Sequence, residues 1–469
     1  MHRRTRPSYH GAARRVAAQA EPWSTSRYRS GMASTDITVT EIDTPVDEID
    51  LSDKDAWLGP DSDAIFAKLR AERPVSKQRG LPFFDANLAD PAMMEQARAL
   101  GGPMPDEIEW WAISDHENVM TVSRHPDLFA SGRGGTNIGD IPQEIAEFLG
   151  SMINMDAPQH TKLRMVVNRG FTPRQVAKIE ESVRDRARQI VDRISEKGEV
   201  NFVEEVAAAL PLQVICDMMG IPPEDERQVF EWTNTILGVG DPEYVSSMED
   251  LMGAGFGLFQ YGLQLAEERL ANPRDDITST LMQAEVDGER LTASELGSFF
   301  VLLVVAGNET TRTAISHGLL ALTDHPEQKQ LWLDDIDAVS PTAVEEIVRW
   351  ATPVIHFRRT ATADTELGGQ PIVEGDKLVM LYNSANRDAK VFDDPFRFDV
   401  RRDPNDHVGF GAGGPHFCLG ANLARREIRV MFEELLTRLP DIHASSEPAM
   451  LQSAFIHGIK RMNATFTPR

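Results

Sequence analysis

Gly409-Phe410-Gly411-Ala412-Gly413-Gly414-Pro415-His416-Phe417-Cys418-Leu419-Gly420, leading into Ala421–Arg429, governs how the rest of the chain is read. The four glycines within Gly409–Gly414 let the backbone fold tightly, because glycine tolerates positive φ. A thiolate at the start of the following helix is favoured by unpaired amide donors and by the helix dipole. Such a sulfur can ligate a haem iron and push electron density toward it. Two other readings stay open at this level. Gly409, Gly411 and Gly414 match the G-x-G-x-x-G spacing of dinucleotide loops, but the preceding Arg401–His407 is polar where that motif wants a buried strand. The third reading is a plain turn with a buried thiol.

The other cysteine, Cys216, lies among the apolar residues of Leu210–Met219 and reads as a packed core thiol. Two cysteines are too few for the common iron–sulfur clusters or for a disulfide framework, so a reducing, cytoplasmic setting is expected. The longest purely apolar run, Phe299–Ala306, is far short of the ~20 residues that span a bilayer, so no integral membrane segment is expected. A net charge of -25 argues against binding nucleic acid. Residues 1–31 run against that trend, with seven arginines and one acid. They resemble an organellar transit peptide, or mark a start placed too early with Met32 as initiator. In both cases residues 1–44 are expected to be a disordered extension, and 45–469 a single domain.

Along that domain, Asp63–Glu72 reads as an amphipathic helix ended by Pro74, and Gly80–Pro105 as an extended loop. Trp110–Ile113 reads as a strand, followed by a short helix ending near His125. Helices are expected over Pro173–Ile194, Phe202–Met219 and, two or three of them, Glu224–Leu270. A long one runs from a cap at Thr292 to about Leu322, and others cover Thr342–Trp350 and Leu419–Arg438. Thr360–Tyr382 alternates like a small sheet. The fold class is mainly α with a minor β-sheet.

The cysteine loop resembles the haem-binding signature of the cytochrome P450 family, with Phe410, Gly411, Gly413, His416, Cys418 and Gly420 in the expected roles. Phe410 stands eight residues before the cysteine, where the usual signature has seven. A similar insertion marks a branch of actinobacterial enzymes acting on sterol side chains and methyl-branched lipids. The resemblance spans about residues 45–468. It implies the cytochrome P450 fold, haem b as cofactor and Cys418 as the iron ligand.

The string Ala306-Gly307-Asn308-Glu309-Thr310-Thr311 resembles the family's oxygen-activating motif. Glycine inside a helix costs about 1 kcal/mol against alanine, so Gly307 needs a reason, and a groove for dioxygen beside the haem would supply one. Thr310 would hydrogen-bond the dioxygen and Glu309 would relay protons. His160 and Arg164 share a helix face, and with Arg359 and His416 they are the expected partners of the haem carboxylates. Glu346 and Arg349 resemble two members of the family's structural Glu-Arg-Arg cluster, with Arg397 as the third.

The implied activity is insertion of one atom of O2 into a C–H bond of a hydrophobic substrate, with a ferredoxin and its reductase as electron donors. Arg425, Arg426 and Arg429 form a candidate basic docking patch. The branch resembled points to ω-hydroxylation of a methyl-branched or isoprenoid lipid, with a sterol side-chain terminus as the alternative substrate. A non-catalytic haem-binding protein is the alternative from another class, and the Glu309-Thr310 pair argues against it.

Overall fold

The computed structural model describes residues 42–83, 104–140, 151–168 and 173–469, apart from 239, 246 and 287. Residues 1–41 of the expected extension, and most of the loop expected before Pro105, lie outside the described residues.

The architecture is built around the helix Ala293–Asp324. Thr292 accepts the Glu295 amide at its hydroxyl, and the Glu295 carboxylate accepts the Thr292 amide in return, which fixes the first turn. Leu296, Phe299, Phe300, Val304, Ile315, Leu319 and Leu322 bury nearly every side of this helix, so its place is the core. Helices Ala209–Met219, Glu226–Leu237, Met248–Ala271, Ile336–Ala351 and Ala421–Arg438 pack against it. The contact with Ala421–Arg438 is close at Gly318, where a Cβ would lie 2.7 Å from the Phe432 ring.

The five-stranded sheet has the order Val75–Arg79, Glu109–Ile113, Lys377–Leu381, His356–Ala361, Phe129–Ala130. Its one parallel pairing joins Glu109–Ile113 to Lys377–Leu381. Trp111 donates its indole N–H to Asp376, and Arg70 donates to Ser384, so early and late parts of the chain are bonded directly. A hairpin turn links Thr365–Leu367 to Gln370–Ile372.

Most expected helices stand within two or three residues of their expected bounds, and Pro173–Ile194 does so at both ends. Two points differ. The helix expected from Thr342 starts at Ile336 and runs through Pro341. The Asp335 carboxylate accepts the Ala338 amide and starts it early, so Pro341 costs one backbone bond instead of opening the helix. A helix at Pro326–Asp334, which the sequence reading left unassigned, precedes it. Its amphipathic signal is weak because Gln328 is buried, accepting the Val400 amide.

Candidate functional site

Cys418 lies just before the helix Ala421–Arg438. Its amide donates to the Phe410 carbonyl at 3.0 Å, so Phe410 stands opposite the cysteine despite the additional residue between them. Gly411, Gly413 and Gly414, at φ +90°, +81° and +77°, take up the extra length. At Gly414 a Cβ would come within 2.2 Å of the Ser123 carbonyl oxygen, so only glycine fits there. The loop is fastened on both flanks. Ser123 donates its hydroxyl to the Gly413 carbonyl at 2.8 Å, and Arg164 donates to the Phe417 carbonyl at 2.9 Å.

The Cys418 side chain lies deep in the protein yet keeps accessible surface. Burial pushes its thiol up, against the pull of the Gly420 amide, Arg164 and Arg425. A coordinated metal deprotonates such a thiol outright.

His160, Arg164, Arg359 and His416 come together beside the loop. The His160 and His416 rings lie 4.2 Å apart between centroids. Burial, reinforced by Arg359, His160 and Arg164, pushes His416 down to about 3. Burial and Arg164 likewise push His160 down. Arg359 is buried and donates to its neighbour's carbonyl, with no carboxylate bonded to it among the described residues. Buried Nε2 of His160 has no hydrogen-bond partner among the described residues. Two neutral imidazoles, the His160 ring buried and the His416 ring half-buried, stand beside two guanidiniums that repel one another, and a flat group carrying two carboxylates would complete them. Haem fits these residues.

On the central helix, Ala306 is exposed and Leu303, Gly307 and Thr310 are half-buried, while Val304, Asn308, Glu309 and Thr311 are buried. Thr310 donates its hydroxyl to the Ala306 carbonyl at 2.7 Å. The atom nearest to a Cβ at Gly307 is Ile215 Cδ1 at 3.4 Å, and the helix runs unbroken through this glycine. Glu309 is fully buried and paired with Arg312, which donates to Asn234 on the helix Glu226–Leu237. Burial pushes the Glu309 carboxyl up, against the pull of Arg312. Gly458 lies close by, where a Cβ would be 3.2 Å from Glu309 Oε1.

A family model described as cytochrome P450 matches residues 257–440. The methyl-branched lipid omega-hydroxylase of Mycobacterium tuberculosis is 49% identical over 430 residues, covering 90% of this chain and 96% of that protein. The steroid C26-monooxygenase of Rhodococcus jostii is 45% identical over 376 residues, 78% of each chain. A Mycobacterium marinum cytochrome P450 solved in complex with pseudoionone superposes with a TM-score of 0.81 at 45% identity, covering 90% of this chain and 99% of that one. The chain belongs to the cytochrome P450 family. It is a P450 monooxygenase, and the family implies haem, redox partners and a hydrophobic substrate. No helix among the described residues is long and apolar enough to cross a membrane.

The brace of this P450 differs from expectation in one member. Arg349 forks onto both Glu346 oxygens at 2.7 Å, with both residues fully buried. The second arginine on Glu346 is Arg402, whose Nε lies 3.2 Å from Oε2. Arg397 contributes only its carbonyl, to Arg349 and Arg402, while its side chain is half exposed and faces Asp399. The three arginines of the candidate docking patch all have acidic partners: Arg425 with Glu345, Arg426 with Glu180 and Arg429 with Glu433. His356, a polar residue the sequence left without a role, is buried and bonds the Ala454 carbonyl through Nδ1 at 2.9 Å. It pins the turn carrying Phe455, whose carbonyl also accepts the Ile355 amide. Sequence reasoning missed Glu427, fully buried and bonded to Thr311 next to Thr310. It stands between Arg426 and Ile428 on a helix rich in charge, which disguised it as a solvated residue.

Proposed function

We propose that this P450 hydroxylates the terminal carbon of a methyl-branched or isoprenoid lipid chain. The reading is carried by the 49% identity, over 90% of the chain, with a methyl-branched lipid omega-hydroxylase. A relative that holds pseudoionone, an apolar chain-like ligand, supports it. So do the accessible apolar side chains of Leu303, Ala306, Val354 and Phe455, since an apolar chain wants an apolar lining. A sterol side-chain terminus is the second reading, favoured by the steroid C26-monooxygenase relative.

In this proposal residues 45–469 form one haem-thiolate domain. Cys418 supplies the sulfur ligand to haem b, with Phe410 and Gly420 flanking it. His160, Arg164, Arg359 and His416 hold the two carboxylates. Bound haem supplies the activation of O2: one oxygen atom enters the C–H bond, and the other leaves as water with two electrons and two protons. Thr310, whose hydroxyl bonds the Ala306 carbonyl, would supply a hydrogen bond to dioxygen. Glu309, next to Thr310 and paired with Arg312, is placed to relay protons, and burial pushes its carboxyl up. Gly307 leaves room for dioxygen beside the haem, since a Cβ there would meet Ile215 Cδ1 only at an ordinary 3.4 Å. The electrons come from a ferredoxin and its reductase, in the cytoplasm.

The ligand assignment is tested by reduction under carbon monoxide. The parent protein gives the long-wavelength Soret band of a thiolate-bound haem, and Cys418→His loses it. If the variant keeps the same band, the assignment fails. The substrate is tested by haem spin-state shift with a methyl-branched fatty acid, an isoprenoid alcohol and cholestenone, followed by product analysis with a ferredoxin system. A shift with cholestenone alone sinks the first reading in favour of the second.

A further inference from the structure

We infer that Glu345 and Arg425, held in place by His407, form a charge clamp behind the cysteine loop that sets the reduction potential of the haem through Phe410 and the Cys418 sulfur. The inference rests on the reading that Cys418 ligates the iron.

Arg425 stands seven residues after Cys418, on the second turn of the helix Ala421–Arg438. Its guanidinium carbon lies 4.3 Å from the centroid of the Phe410 ring, a cation–π distance. The same guanidinium forks onto Glu345, with Nε 2.6 Å from Oε1 and a terminal nitrogen 2.9 Å from Oε2. Bidentate pairing of this kind fixes orientation as well as distance. His407 completes the arrangement. Its Nδ1 accepts the Gly409 amide at 3.1 Å, which assigns the ring proton to Nε2, and Nε2 donates to Glu345 Oε2 at 3.0 Å. The His407 ring in turn stands 5.7 Å from the Phe410 ring. Phe410 closes the circuit, because its carbonyl accepts the Cys418 amide.

Each part of the clamp therefore bears on the residue that shields the sulfur. Arg425 acts on Cys418 electrostatically, together with Arg164. Burial opposes ionisation of Glu345, but the His407 and Arg425 hydrogen bonds outweigh it and hold the carboxyl down at about 2. One fixed negative and one fixed positive charge thus sit behind the sulfur. The adjacent Glu346 belongs to a separate, fully buried brace with Arg349 and Arg402, so the Glu345 pair is not needed to complete that brace.

Reduction of the haem adds one electron, which a nearby positive charge favours and a negative charge opposes. Removing one member of the pair leaves the other uncompensated. Glu345→Gln exposes the sulfur to a bare guanidinium and raises the potential. Arg425→Gln leaves the carboxylate and lowers it. The expected size is a roughly tenfold change in the reduction equilibrium in each direction, about 59 mV for a one-electron couple. Arg425→Lys keeps the charge and stays within threefold of the parent.

The test is spectroelectrochemical titration of the holoenzymes, with the reduced carbon monoxide spectrum recorded for each. Opposite shifts in the two glutamine variants, with the thiolate band retained, support the clamp. A purely structural pair would lower stability in both variants and leave the potentials together, so shifts of the same sign, or both under threefold, overturn it. Should Arg425→Gln fail to take up haem, Glu345→Gln and Glu345→Ala decide the matter: both must raise the potential. A parent protein without the thiolate band refutes the iron assignment itself, a result separate from failure of the clamp.

Discussion

Replacing Glu427 by glutamine should change how the stability of this P450 depends on pH, and the structure gives the size. Burial, set against a hydrogen bond from Thr311, raises the Glu427 carboxyl to about 8 from an ordinary 4.5. The folded protein therefore binds a proton that the unfolded chain releases above pH 4.5. Stability from this group is complete below that value and declines as pH rises, until the folded carboxyl ionises near 8. Between pH 6 and pH 9 the decline amounts to roughly 2 to 3 kcal/mol, at about 1.4 kcal/mol per unit while only the unfolded form is ionised. Glutamine is close in shape, can accept the Thr311 hydroxyl and does not titrate. The stability difference between Glu427→Gln and the parent should thus shift in favour of the variant by that amount from pH 6 to pH 9. Urea midpoints followed by tryptophan fluorescence, with slopes compared at each pH, measure it. A difference constant to within about 0.5 kcal/mol across that range would refute the reasoning.

Arg402→Leu should cost about 3 kcal/mol, because it strips a partner from buried Glu346, whereas Arg397→Leu should stay within about 0.5 kcal/mol; denaturant midpoints separate the two. Gly414→Ala should cost at least about 2 kcal/mol and lower the haem retained per protein, since the new Cβ meets the Ser123 carbonyl at positive φ. A variant with full haem and an unchanged midpoint would count against the loop's tight docking. His356→Leu removes the bond that pins the Phe455 turn and should weaken substrate affinity about fivefold, the equivalent of ~1 kcal/mol. His356→Asn can still donate to the Ala454 carbonyl and should bind within twofold of the parent, as read by spin-state titration.

What could be read in advance was whatever the chain states locally. Thr292 and Glu295 bracket the start of the central helix, and the apolar run that follows leaves few other places for it. The glycines before Cys418 announced a tight loop, and the structure absorbs the extra residue among them without moving Phe410 from the cysteine. Long side chains were harder. Whether Arg397 or Arg402 reaches Glu346 depends on which one the chain turns inward, and a five-residue difference in a coil segment carries no periodic signal. Glu427 sits in a helix whose other charges keep some exposure, so its burial shows only once the neighbouring helices are in place. The partners of the basic patch were hidden for a similar reason: the acids that pair with Arg425 and Arg426 come from elsewhere in the chain.

The parallel pairing of Glu109–Ile113 with Lys377–Leu381 has a consequence for the order of assembly during synthesis. This early strand has Val75–Arg79 on one side but must wait for more than half the polypeptide to emerge before its second neighbour exists, and Trp111 and Arg70 wait with it for Asp376 and Ser384. Contacts this distant in sequence form slowly, while the helices between them can form at once. The nascent protein should therefore spend its early life as a helical body with an unpaired strand edge, the kind of surface that chaperones hold and that slower translation protects.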